Sequence, residues 1–424
     1  MNMKNIYKST IKIVASLIVL AAIVALPACN DNPDAYESTS GKPTVSYVRI
    51  PDALSSDSLV THAFMGTTVA LVGENMRSIK EVWFNDQKAT LNTSLITPTC
   101  LIVTVPDSIP DLVTSKIYMV TSSNDTVKYN FGVDVPNPLL NTMDCEYVAD
   151  GGTAVINGNF FLPVDGSAVP EVYFTPNIKA TVVSATLNKI TVKVPVGAAV
   201  GPISVKSRYG TSRSKAFYFR DNRGIILDWD NTNASGGWRA GVIANSNPAG
   251  ISGNYVRFSG AHDDSKGSGS TWNEDAFSFN LWGTANGRPQ GDLFSTPLAS
   301  SVLKFEVNVD KAWSSGALQM IFTPWAMSAK NTYIGGDATQ PMLPGAIWNP
   351  WATAEKGTFK TNGWITVSVP IKDFTYDRAG GKLATGTQVG GFGGLTFFVY
   401  AGGVVGTPCT PDICIDNIRV VPAE

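Results

Sequence analysis

The segment VALVGENM, VWFNDQKATL, LIVTVP, running from Val69 to Pro106, returns as AVINGNFF, VYFTPNIKATV, ITVKVP between Ala154 and Pro195. The offset between the copies stays near about ninety residues, far longer than a solenoid unit and close to the length of one antiparallel β-sandwich. Within each copy apolar and polar residues alternate in short runs broken by Gly, Asn and Pro, the period-two pattern of half-buried strands. The composition points the same way: with 39 Gly, 25 Pro and only 16% charged residues, the chain favours short strands and turns over helices. The predicted fold class is all-β.

The recurring pattern G-x-N-F, V-x-F, A-T-V, V-P resembles the IPT/TIG family of immunoglobulin-like domains. Gly158-Asn159-Phe160, Val172-Tyr173-Phe174 and Val194-Pro195 carry it in the second copy, whereas Gly73-Glu74-Asn75-Met76 in the first lacks the Phe. The resemblance implies one such domain over 44–136 and another over 137–221, acting as spacers or interaction modules. Trp83, within Val82-Trp83-Phe84 and equivalent to Tyr173, is read as core or flanking packing.

Upstream, Lys4, Lys8 and Lys12 precede an apolar run from Ile13 to Leu26 that is too short to span a bilayer and reads as a secretory signal. Leu26-Pro27-Ala28-Cys29 resembles the lipobox of bacterial lipoproteins, although Pro27 departs from the usual small or branched residue. That resemblance implies a signal peptide over 1–28 and an acylated Cys29 as lipid anchor, with 29–43 as a tether. The alternative is an ordinary signal peptide with an incidental cysteine. Acyl chains bind at about 0.8 kcal/mol per buried CH₂, so several on one residue hold a soluble domain at a membrane. Asn30, Asp31, Asn32 and Asp34 resemble the acidic export signal of Bacteroidetes lipoproteins, which implies the outer membrane with the protein facing the exterior.

The chain beyond Ala28 is too long for one core. Its net charge of −2 and the lack of any Lys/Arg run argue against a nucleic-acid partner. Composition changes at Arg220-Asp221-Asn222-Arg223-Gly224, and nine of the ten tryptophans lie beyond it. Strand-like segments follow at Gly224 to Trp229, Tyr255 to Ser259, Ala276 to Leu281, Leu303 to Val309, Leu318 to Thr323, Ile365 to Val369, Leu395 to Tyr400 and Ile413 to Val421. Eight or more strands between Gly-rich loops predict a jelly-roll β-sandwich over 222–424. In an exported protein, Cys409 and Cys414 are close enough in sequence for a disulfide, the alternative being two buried thiols.

Sugars present flat C–H patches between hydroxyls, so an aromatic face covers the C–H side while rim Asn, Asp, Gln and Arg satisfy the hydroxyls. Trp238, Trp272, Trp348 and Trp351 stand in loop-like sequence and are the candidate glycan-binding residues; Trp229, Trp313 and Trp364 border apolar runs and are read as core. Ile413-Cys414-Ile415-Asp416-Asn417-Ile418-Arg419-Val420, Leu227-Asp228-Trp229-Asp230 and Gly363-Trp364-Ile365-Thr366-Val367-Ser368-Val369-Pro370 resemble the closing and core strands of the carbohydrate-binding domain in surface glycan-binding proteins of Sus-like systems. That resemblance spans the mature chain. It implies a cell-surface lipoprotein that captures a β-glucan or hemicellulose and passes it to an outer-membrane importer complex, with Trp238 and Trp272 in the platform positions.

Two other functions were weighed. A glycosidase needs two facing carboxylates, and this domain holds only Glu274, Glu306, Glu355 and Glu424, with Asp263, Asp264, Glu274 and Asp275 as its one acidic cluster. With only His62 and His262, a His-based triad or metal site has little material, and His262 is read as a surface residue. The expectation is no enzyme and no cofactor, with a structural calcium at Asp228, Asp230 or Asp416 as the one candidate metal. A purely structural or adhesive protein leaves the sorting of tryptophans unexplained.

Overall fold

The computed structural model describes residues 37–55, 57–231, 242–262, 279–280, 291–295, 297–323, 343–377, 380–383, 391–400 and 402–423. The chain divides into two compact units, Met1–Val135 and Pro136–Glu424.

In the first unit, Thr44–Arg49, Thr68–Glu74 and Cys100–Thr104 form one antiparallel sheet, and Gln87–Lys88, Ile79–Phe84, Lys116–Thr121 and Thr126–Asn130 form a second. Alternation aims Val69, Leu71, Leu101 and Val103 from one sheet, and Val82, Phe84, Ile117 and Met119 from the other, into a common core. Phe84 meets Phe131 edge to face at 5.9 Å. A short parallel pair, His62–Phe64 with Gly132–Asp134, lies beside these sheets.

The second unit opens with the repeat of that plan. Thr153–Asn159, Glu171–Phe174 and Lys189–Lys193 take the places of Thr68–Glu74, Ile79–Phe84 and Cys100–Thr104. The G-x-x-[MF] element now has a physical reason. At Gly73 the neighbouring strand bulges between Val45 and Tyr47, and a Cβ would stand 1.8 Å from the Thr44 carbonyl oxygen. At Gly158 the neighbour bulges between Leu140 and Thr142, and a Cβ would stand 1.8 Å from the Leu139 carbonyl oxygen. Only glycine fits such an approach. Asn75 and Phe160 then take the left-handed conformation, both with φ 57, so that Met76 and Phe161 plug the core beside the glycine. The residue that matters for packing in the second copy is thus Phe161 rather than Phe160.

The rest of this unit is an antiparallel jelly roll. One sheet runs Val242–Ala244, Tyr255–Ser259, Asp412–Pro422, Ser301–Lys311, Ile365–Pro370, with Ile225–Leu227 also paired to Asp412–Pro422; the other runs Phe279–Asn280, Gly394–Tyr400, Ala317–Thr323, Gly345–Trp348. Successive strands cross between the sheets in the order that two nested Greek keys require. Between the sheets Phe305, Val307, Val309, Ile413 and Ile415 pack on Leu318, Met320, Phe322, Phe397 and Val399.

Ser301–Val309 and Asp412–Val421 are buried on both faces; Ser252 and Arg257 cover the outer face at Asp416 and Asp412, while the second immunoglobulin-like sandwich meets it at Lys304 and Arg419. Four charged side chains meet there. Arg419 donates to both oxygens of Glu306, at 2.8 and 2.9 Å, and to Glu146 at 2.7 Å; Lys304 donates to Glu146 at 2.6 Å and to the Ala216 carbonyl at 2.7 Å. Thr366 Oγ1 donates to Glu306 at 2.9 Å and accepts from the Glu146 amide at 2.7 Å. Two cations and two anions compensate one another in a buried seam, the condition under which buried charge is tolerated.

Candidate functional site

The site is built at the end of the jelly roll where strands Tyr255–Ser259 and Asp412–Pro422 meet the segment after Lys311. His262 and Cys409 exchange backbone hydrogen bonds at 2.8 and 3.0 Å, and the His262 imidazole Nδ1 lies 2.8 Å from the Ser315 carbonyl oxygen. Ser314 and Thr407 are joined twice, by the Thr407 amide to the Ser314 carbonyl at 2.8 Å and by the Ser314 hydroxyl to the Thr407 carbonyl at 2.9 Å. Two indoles fix the same turn: Trp313 Nε1 donates to the Ser315 carbonyl and Trp351 Nε1 to the Gly316 carbonyl, each at 2.6 Å. At this end Asp412 receives the Arg257 Nε at 2.8 Å and one of its terminal nitrogens. These groups are mostly buried and bond to one another, so they brace this end of the sandwich.

The four candidate tryptophans separate. Trp351 is 3% exposed, beneath the turn it hydrogen-bonds, and Trp348 ends the strand Gly345–Trp348 with Phe305, Trp313 and Phe359 edge to face at 6.0, 5.5 and 5.6 Å. Loop-like sequence at Asn349-Pro350 therefore misled for Trp351, which is buried, whereas Trp348 is half-buried and packs one side against the core. Trp238 and Trp272 lie outside the described residues, as do Cys29, Asp263, Asp264, Glu274 and Asp275. The described residues that border the two tryptophan stretches are informative. Val242 pairs with Arg257, the partner of Asp412, and His262 pairs with Cys409. The opposite borders lie elsewhere: Asn231 bonds to Asp228, and Phe279 pairs with Phe397 in the other sheet.

Among the predicted core tryptophans, Trp229 and Trp313 are buried. Trp364 is half-buried, donating Nε1 to the Ala249 carbonyl at 3.0 Å and meeting Tyr255 edge to face at 5.2 Å. Two other expectations are corrected. His262 is buried rather than at the surface, because it is pinned between Cys409 and Ser315. Cys409 and Cys414 are both free thiols: Cys414 sits inside the strand opposite Asn308 and Arg257, while Cys409 lies in the loop before it. Of the two readings of Trp83, core or flanking packing, the second fits: it is half-buried on the outer side of its sheet, away from the core that takes Val82 and Phe84.

The carboxylates show what chemistry this unit holds. Glu306 is fully buried, and both its oxygens are occupied by Arg419 and Thr366, so it is presented to no substrate. Burial pushes its carboxyl up against the opposing pull of Arg419. Asp230 Oδ1 accepts the amide and side-chain N–H of Asn254, both at 2.9 Å, and Asp228 accepts the amides of Asp230 and Asn231. Asp416 is buried, accepting from the Ser252 hydroxyl and the Asn417 amide at 2.8 Å each, and burial raises its carboxyl to about 7. Donors crowd these oxygens, and among the described residues no group of three or more acidic, His or Cys side chains is arranged to hold a metal.

The buried ionic seam is what the sequence reading missed. The pattern hid it: Lys304, Glu306 and Asn308 alternate with Leu303, Phe305 and Val307 as the solvent side of a half-buried strand would.

Residues 219–422 match the model of the surface glycan-binding protein B xyloglucan binding domain. The crystal structure of the surface glycan-binding protein PbSGBP-B from Prevotella bryantii is 32% identical, covering 91% of this chain and 100% of that one with a TM-score of 0.74. An IPT/TIG domain-containing protein of Bacteroides ovatus is 30% identical over 169 residues, 38% of this chain; the match spans 33% of that curated relative's length.

Proposed function

The chain belongs to the family of surface glycan-binding proteins, and from that premise we propose that it captures a polysaccharide at the cell surface through its C-terminal jelly roll. One observation carries the reading: the stretch that resembles a xyloglucan binding domain, 219–422, coincides with the jelly roll whose end is held rigid by Trp313, Trp351 and His262. The proposed ligand is a β-glucan of xyloglucan type. Trp238 and Trp272 are the proposed stacking faces, and polar groups beside them take the hydroxyls. The buried Glu306 supports binding without cleavage.

Anchoring through an acylated Cys29 would hold the protein at the outer membrane, where an importer complex would receive the chain. Affinity electrophoresis of the whole protein in gels containing xyloglucan, mixed-linkage β-glucan or xylan tests the reading. Strongest retardation by xyloglucan, with no release of reducing ends, is the expected result. Equal mobility in all gels, or reducing ends that accumulate with time, would overturn it.

A further inference from the structure

The first sandwich carries a surface that its spacer role leaves unexplained. Across the sheet of Ile79–Phe84 the register sets Lys88, Trp83, Tyr118 and Lys128 directly opposite one another, in one row on the solvent face. Alternation leaves Glu81, Trp83, Lys116 and Tyr118 outward while Val82, Phe84, Ile117 and Met119 are buried. Trp83 Nε1 donates to Glu81 Oε2 at 3.0 Å, and Lys88 Nζ donates to Glu81 Oε1 at 2.8 Å. Lys128 Nζ lies 5.6 Å from the Tyr118 ring centroid, and Lys116 donates to Asn130 at 2.8 Å.

The second sandwich is an internal control. There Tyr173 stands opposite Lys179, the Tyr173 hydroxyl donates to Glu171 at 2.9 Å, and Lys179 donates to Glu171 at 2.6 Å. A Glu, an aromatic ring and a Lys in this arrangement therefore belong to the shared scaffold, as ordinary cross-strand partners. Two things differ. Ser204 faces Tyr173 where Tyr118 faces Trp83. Glu171 also neutralises a second lysine, Lys206, at 3.4 Å, whereas Lys116 and Lys128 have no carboxylate partner among the described residues. The first copy thus adds a second aromatic ring on the adjacent strand, about 4.8 Å away, and two uncompensated ammonium groups.

We propose that this face is a second ligand surface, for an anionic sugar chain: ring C–H faces stack on Trp83 and Tyr118 while carboxylates of uronic acid residues meet Lys116 and Lys128. Charge complementarity selects this occupant over a neutral glucan, which has no use for two ammonium groups that lack a carboxylate partner among the described residues. The proposal goes beyond the C-terminal reading and does not rest on it.

Affinity electrophoresis of the whole protein in polygalacturonate gels tests it, with neutral xyloglucan gels in parallel. Retardation by polygalacturonate is expected, abolished by high salt and weakened about tenfold in affinity by Trp83→Ala and by the pair Lys116→Gln, Lys128→Gln. Tyr173→Ala should leave it intact, and so should Trp238→Ala. Should Trp83→Ala fail to fold, the lysine pair, which alters only exposed or half-buried side chains, carries the test. The proposal is overturned by unretarded migration in polygalacturonate, by retardation that survives the lysine pair, or by a Trp83→Ala defect confined to xyloglucan gels, which would make the face a subsite for the neutral chain.

Discussion

Asp416 holds a proton that an unfolded aspartate gives up at its ordinary value of 3.8, since burial lifts its folded carboxyl to about 7. The folded state therefore binds more protons between those values, and the stability this group contributes, full below about pH 4, is lost as pH rises through about 7. Asp416→Asn should remove that slope, so the variant gains on the wild type between pH 4.5 and 8 in urea titrations; parallel profiles would contradict the assignment. Ring position is decided at the same scale. Trp348 and Trp351 flank Asn349-Pro350, which reads as loop, yet Trp351 is buried because the turn at Gly316 needs a donor. Sequence shows which residue types are present, while the partner that draws an indole inward lies some 35 positions away. Trp351→Ala should therefore cost roughly 3–5 kcal/mol of stability, measured as a fall in Tm, instead of a selective loss of affinity.

At the scale of elements, the repeat was legible because each copy must solve the same packing problem. Gly73 and Gly158 mark where a bulged neighbour's carbonyl closes on the strand, and Met76 and Phe161 fill the space beside them. Gly158→Ala places a Cβ against the Leu139 carbonyl and should lower the Tm of the second sandwich by more than Gly151→Ala, whose Cβ meets nothing within 4 Å and costs only the strain of a side chain at φ 75; both positions are compared by thermal melting. Seven of the strands expected of the jelly roll are found, Tyr255–Ser259 with the expected ends and the others shifted by a few residues, and the eighth, Ala276 to Leu281, is described only at Phe279–Asn280. Two others went unread. Val242–Ala244 is only three residues long, and Gly345–Trp348 begins on a glycine that sits against Met320 and Ile321 of the adjacent strand. Neither offers enough alternation to register as a strand.

Over the whole molecule, the boundary at 221 drawn from composition falls inside a compact unit. Glu146, from the second sandwich, completes the coordination of Lys304 and Arg419. A fragment starting at 222 strips Glu146 from two buried cations, a loss on the order of 3–5 kcal/mol for a broken buried pair. The fragment 136–424 should therefore melt as a single unit and keep the glycan affinity of the intact chain, while 222–424 melts well below it; Glu146→Ala in the longer fragment should reproduce much of that loss in calorimetric scans. Anchoring is separable from binding: Cys29→Ala should release the protein from the outer-membrane fraction without changing its affinity for xyloglucan. The central claim is that the jelly roll stacks a neutral glucan on Trp238 and Trp272. It is tested most directly by isothermal titration of a xyloglucan oligosaccharide into the intact protein and into Trp238→Ala and Trp272→Ala, with melting curves alongside. The account predicts affinity reduced about tenfold to a hundredfold in each variant with Tm unchanged. Full affinity in both variants, or a loss of affinity that follows a loss of Tm, would contradict it.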